Sequence, residues 1–98
     1  MKDIINKLDR LLENRVRLGI MSALMVNDSL DFLSLKELLD VTDGNLASHL
    51  TALEKNELII VHKKFVGKKP NTSYSATKHG KTVFNRHLDA LEDILKKR

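Results

Sequence analysis

From Ser34 to Ser75 the apolar residues first recur at helical spacing, twice and only briefly, and then alternate. Ser34-Leu35-Lys36-Glu37 has the form of a capping box, in which the Ser34 hydroxyl takes the Glu37 amide and the Glu37 carboxylate reaches back. It predicts a helix running only through Leu38-Leu39-Asp40. Val41-Thr42 leaves room for a tight turn, and Thr42 is placed to cap a second helix from Asp43 to about Asn56. The β-branched run Leu58-Ile59-Ile60-Val61-His62-Lys63-Lys64-Phe65 then reads as a strand. Gly67-Lys68-Lys69-Pro70-Asn71, with the only proline of the chain, reads as a hairpin loop, and Thr72-Ser73-Tyr74-Ser75 as the returning strand. Two short helices meeting at a tight turn are a helix-turn-helix, here with a hairpin appended.

The flanks complete the plan. Ile4, Ile5, Leu8, Leu11 and Leu12 lie at helical spacing over residues 3 to 13, and the pattern resumes from Val16 to Met25 until Asn27-Asp28-Ser29 stops it. Leu30-Asp31-Phe32 suffices for a brief strand. Thr77 caps a final helix from about Lys78 to Lys97, with Phe84, Leu88, Leu91 and Leu95 on one side and Ile94 widening the stripe. The expected fold class is mainly α with a small β-hairpin (α+β), a winged helix-turn-helix. One domain spans 1–98: 1–27 and 78–98 supply core and dimerisation helices, 34–56 the helix-turn-helix, and 58–76 the wing. A chain of 98 residues cannot easily cover apolar ribbons at both ends, so Ile4, Ile5, Leu8, Leu11, Leu12, Phe84, Leu88, Leu91, Ile94 and Leu95 are expected to form a two-fold dimer interface.

Charge placement points to the partner. Between Leu58 and Leu88 stand seven basic residues and no acidic one, while the other 67 residues carry ten basic and thirteen acidic side chains. A one-signed block on an otherwise mildly acidic chain suits a polyanion. On the helix from Asp43, Leu46, Leu50 and Leu53 stack on one side, so the opposite side carries Gly44, Ser48, Thr51 and Lys55, flanked by Asn45, Ala47 and Ala52. Small polar side chains let a helix sit deep in a major groove of double-stranded DNA and bond to base edges. Gly44 lowers helix propensity by about 1 kcal/mol relative to Ala, which close approach to a phosphate would explain. Asn45 fits two roles, reading adenine or bonding back to Thr42 at the helix start. His49, beside the leucine stripe, is read as a packing residue, and Asp43 suits the helix N-terminus. Lys63 and Lys64 on the ascending strand and Lys68 and Lys69 at the tip are placed to hold backbone phosphates or line the minor groove.

These residues also resemble a known family. Thr42-Asp43-Gly44-Asn45-Leu46-Ala47-Ser48-His49-Leu50 with Leu53-Glu54 is similar to the recognition helix of small winged-helix regulators related to the MarR and ArsR groups. Phe65-Val66-Gly67-Lys68-Lys69-Pro70 with Thr72-Ser73-Tyr74 resembles their wing, and Asn14-Arg15-Val16-Arg17-Leu18-Gly19-Ile20 their early core helix. The resemblance implies a homodimeric transcriptional regulator of prokaryotic type that pairs through terminal helices and presents two reading helices to DNA. Thr51 stands where those proteins often carry a basic residue, so their sequence preference does not carry over.

Other classes fit less well. Ser48 and His49 are helical neighbours whose side chains diverge by roughly 100°, which prevents a nucleophile–base pair, and no glycine-rich phosphate loop is present, so no enzyme and no cofactor are expected. The absence of cysteine removes disulfides, thiolate metal sites and thiol nucleophiles. His79 and His87, eight residues apart, would be separated by about 12 Å along a helix. No metal is expected. An ArsR-type metal- or ligand-responsive regulator remains the alternative, through a site shared between subunits with Asp89 or Glu92, as does a protein–protein docking module. Charges interrupt Met1 to Lys7, and no long apolar run occurs, so a cytoplasmic protein without a membrane partner is expected.

Overall fold

A computed structural model of the chain describes residues 1–97. Its elements are α1 (Lys2–Ile5), a 3-10 helix (Arg10–Glu13), α2 (Arg15–Val26), β1 (Leu30–Asp31), α3 (Phe32–Leu39), α4 (Asp43–Lys55), β2 (Ile59–Val66), β3 (Lys69–Ala76) and α5 (Lys78–Lys97). The three strands form one antiparallel sheet in the order β1-β3-β2. The architecture is mainly helical with a small sheet, as expected.

Side-chain caps set several boundaries. The Asn14 carboxamide oxygen accepts from the Val16 and Arg17 amides and starts α2, and Thr42 Oγ1 accepts from the Asn45 amide at 3.2 Å and starts α4. Thr77 Oγ1 accepts from the Gly80 amide at 2.8 Å and starts α5. At the end of α4, the Leu58 amide donates to the Leu53 carbonyl and the Glu57 amide to the Glu54 carbonyl. This is a Schellman closure with Glu57 in the left-handed region at φ 63°. It turns the chain directly into β2.

The capping box does not start α3. Asp31 does, three residues earlier: its carboxylate accepts the Ser34 amide at 2.8 Å. Ser34 amide and hydroxyl hold that carboxyl below the ordinary carboxylate range. Ser34 is thus the donor at this cap. Asp31 wins because β1 pairs with β3, Leu30 opposite Tyr74 and Asp31 opposite Ser73, which fixes the extended backbone an N-cap needs.

The N-terminal helix predicted over residues 3 to 13 is also divided. The Asp9 carboxylate accepts from the Leu11 amide, while the Asp9 amide donates to His87 Nδ1 of α5 at 3.0 Å. This tether ends α1 and starts the 3-10 helix, which sinks Leu12 into the core.

The core gathers on α2, whose Val16, Ile20, Met21 and Leu24 meet Leu35 of α3, Leu46, Leu50 and Leu53 of α4, Leu58, Ile59, Tyr74 of β3 and Phe84 of α5. Two residues expected at the dimer interface, Leu12 and Phe84, are therefore covered within their own chain, at 1% and 6% exposure. Ile4, Leu8, Leu11 and Ile94 are half-buried, whereas Ile5, Leu88, Leu91 and Leu95 are exposed. The molecule is elongated, 54 × 25 × 21 Å. Its radius of gyration is 14.8 Å, against about 13 Å for a compact chain of this length. Among the described residues, no helix is long and apolar enough to cross a membrane.

Candidate nucleic-acid interface

The buried stripe Leu46, Leu50, Leu53 anchors α4 and turns Gly44, Ser48, Thr51 and Lys55 outward, all of them exposed. Thr42 and Asn45 are exposed at the start of the helix. The bond between them uses the Asn45 main-chain amide, so the Asn45 carboxamide is not consumed in capping. A β-carbon on Gly44 would meet nothing within 4 Å, so packing within the chain does not demand a glycine there. Thr42 satisfies only the third amide of the first turn. The amides of Asp43 and Gly44 remain directed outward at the positive end of the helix. Asp43 is paired with Lys36 of α3 at 2.7 Å, which offsets the negative charge that would otherwise face a phosphate. Lys36 was not singled out in the sequence because it belongs to the preceding helix.

Thr51 Oγ1 donates to the Ala47 carbonyl at 2.9 Å, so its oxygen is left to accept and its methyl to make apolar contact. His49 lies on the flank toward α2, half-buried, with Nδ1 3.0 Å from Arg17 Nη1. The Arg17 guanidinium also donates through Nε to the Leu11 carbonyl at 2.6 Å. Burial, and secondarily the Arg17 charge, push the His49 pKa below its ordinary value. A neutral ring accepting at Nδ1 carries its proton on Nε2.

The wing differs from the expected loop. Val66 pairs with Lys69, so only Gly67 and Lys68 connect the strands. Gly67 has φ 66° while Lys68 stays at negative φ, the arrangement of a type II′ turn with glycine first. Lys69, Pro70 and Asn71, expected in the loop, are therefore strand residues. Pro70 is tolerated because β1 pairs only as far as Ser73, leaving β3 an edge at that height. Strand alternation also separates the lysines. Lys63 shares a face with Val61, Thr72 and Tyr74, turned toward α4. Lys64 and Lys69 lie on the opposite face, and Lys68 stands at the tip. All four are exposed.

Between α4 and the wing runs a cleft lined by Ala47, Thr51 and Glu54 on one side and Val61, Lys63, Thr72 and Tyr74 on the other, with Phe32 and Leu50 at its floor. Burial, and secondarily the Glu54 carboxylate, push the Tyr74 phenol up. The reading face of α4 and the inner face of the wing are thus contiguous. At the other end of the fold, His79 is exposed and His87 is buried against Asp9. Among the described residues, no three His, Asp or Glu side chains converge on a common point.

A family model described as a winged helix DNA-binding domain matches residues 16–95. The chain is similar to a transcriptional regulator homologue from Pyrococcus horikoshii OT3, at 33% identity and TM-score 0.86, with 98% of this chain and 93% of that one covered. It shares its fold with a protein from Enterococcus faecalis V583 assigned to the MarR family of transcriptional regulators, at 23% identity, TM-score 0.70 and coverage of 88% and 74%. PadR of Bacillus subtilis, solved with operator DNA, also shares the fold at 15% identity, TM-score 0.69 and coverage of 76% and 47%. No curated protein sequence matches the chain.

Proposed function

The chain belongs to the winged helix DNA-binding domain family, and from that membership we propose that it regulates transcription as a homodimer that reads double-stranded DNA. It acts by binding alone. α4 enters the major groove, with Ser48, Thr51 and Asn45 at base edges, Thr42 and Gly44 at the adjoining phosphate, and Lys55 at the far strand. Lys63, Lys64, Lys68 and Lys69 hold the backbone on either side of the wing and contribute affinity without sequence choice.

The observation that carries this reading is the contiguity of a small-residue helix face with a hairpin bearing four lysines, in a stretch of chain free of acid from Leu58 to Leu88. Glu and Lys usually populate the outer face of an amphipathic helix, and α4 offers Gly44, Ser48 and Thr51 there, with Lys55 at its end. Pairing of two chains is supported by the exposed Leu88, Leu91 and Leu95 on one stripe of α5, with Ile5 nearby, and by the elongated shape.

Selection of bound fragments from random duplex DNA tests the proposal. A palindrome with half-sites about 10 base pairs apart, or a multiple, is the expected product. In that context Ser48→Ala and Thr51→Ala alter which sequences are recovered more than they alter general affinity. Recovery of a single asymmetric site would remove the two-fold arrangement, and equal losses on selected and random DNA would remove base reading by α4.

A further inference from the structure

Phosphate contacts leave one feature of the wing unexplained. The Phe65 ring is 74% exposed, whereas Phe84 and Tyr74 are buried and Phe32 is half-buried. Its cross-strand partner is Pro70. Alternation puts the Phe65–Pro70 pair on the same sheet face as Lys63 and Thr72, which nearer the root line the cleft against α4. The pair continues that face outward, roughly 7 Å beyond Lys63. A two-residue turn closes the hairpin one residue pair further on, after Val66 and Lys69, so the ring sits on a short, stiff support. Lys63 shares its face, Lys68 stands at the turn beyond it, Lys64 and Lys69 flank it on the opposite face, and no acidic residue occurs from Leu58 to Leu88.

An apolar ring on a hairpin that carries lysines on both faces and at its turn calls for a polyanion that offers an apolar slot between two rows of negative charge. The minor groove of duplex DNA has this form: phosphates line both walls, and base steps can open to admit a hydrophobic wedge. We propose that Phe65, backed by Pro70, is such a wedge. With α4 in the major groove, the ring enters the adjoining minor groove, partly unstacks one base step and bends the duplex away from the wing. The inference rests on the reading of α4 and the wing as the DNA-binding surface. It adds a source of specificity that involves no base-edge hydrogen bond. Pyrimidine–purine steps such as TA and CA open most easily, so they are favoured beneath the wing over stiff A-tracts.

The test uses the full chain and duplexes recovered by selection, carrying a donor and an acceptor dye at their ends and 2-aminopurine at the step beneath the wing. Expected for the unsubstituted protein are a shortened end-to-end distance and a rise in 2-aminopurine fluorescence on binding. Phe65→Ala should lose both signals and bind roughly tenfold more weakly. Its dependence on salt should be unchanged, because no phosphate contact is removed, and so should its melting temperature, because the ring is exposed. It should also cease to distinguish TA from AA at that step. A bound but straight duplex with the unsubstituted protein would overturn the wedge alone, as would a Phe65→Ala variant that bends DNA normally. Loss of binding to phosphatidylserine-containing vesicles with DNA bending intact would reassign the tip to a lipid surface and equally overturn it. Failure of the unsubstituted protein to bind any duplex would take the underlying assignment as well.

Discussion

Substituting Gly44 by alanine separates stability from function, because the two respond with opposite sign. In the free protein the added methyl meets nothing within 4 Å, and the residue lies in the first turn of α4, where helical backbone suits alanine better than glycine. Helix propensity then stabilises the fold by at most about 1 kcal/mol. For a domain of this size that raises the melting temperature by up to roughly 4–8 °C. On DNA the same methyl stands between the outward-directed Gly44 amide and the phosphate it is proposed to meet. Losing one such hydrogen bond to a charged group is worth about 1.5–3 kcal/mol, or roughly tenfold to 100-fold in affinity. Thermal denaturation and fluorescence anisotropy on a selected duplex read the two effects in one preparation. A variant that is more stable and binds as tightly as before would refute the close approach. Gly80→Ala is the internal contrast, because there the β-carbon falls on the Leu58 carbonyl oxygen. That oxygen accepts the Thr77 amide, and the Thr77 hydroxyl donates to the Glu57 carbonyl, so the start of α5 cannot shift freely. Here stability should fall by about 3 kcal/mol or more.

Lys68→Ala and Lys69→Ala should each weaken binding to all sequences alike and reduce the salt slope by roughly one; an unchanged slope in the double variant would remove the wing from the contact. His49 has a folded pKa below its unfolded value near 6.5, so in the interval between them the unfolded chain holds the extra proton. Stability should therefore fall as pH is lowered from 7 toward 5, and His49→Gln should flatten that dependence; identical profiles for the two proteins would contradict it. Leu91→Lys with Leu95→Lys should yield a folded monomer by sedimentation and abolish most specific binding, and a dimer that survives both charges would refute pairing through this stripe. Charged substitution is preferable to shortening the chain at Arg86, which would also delete the buried His87 and Ala90.

What the sequence made legible was local. Thr42 and Thr77 cap helices through bonds spanning three residues, and the Leu46–Leu50–Leu53 stripe orients α4 through its own periodicity, so the helix-turn-helix and its outward face could be read directly. Features that depend on distant partners could not. Asp9 divides the N-terminal helix through His87, 78 residues away. Asp31 and Ser34 are both competent caps, and only the pairing of Leu30 with Tyr74 decides between them. Pro70 looked like a turn residue because its tolerance depends on β3 being an edge at that point. Helical spacing showed that Phe84, Leu88, Leu91 and Leu95 share a face, but not that the first meets the chain's own core while the others remain uncovered. Phe65 looked like an ordinary strand residue, and only its place beyond the cleft between α4 and the wing leaves it exposed.

If α4 and the wing together form a surface for duplex DNA, an anisotropy titration of labelled duplex across a range of salt concentrations should reveal it. If two wings each place at least two lysines on phosphates, the logarithm of the binding constant should fall linearly with the logarithm of salt with a slope of roughly −4 or steeper. No binding at low ionic strength, or binding indifferent to salt, would contradict it.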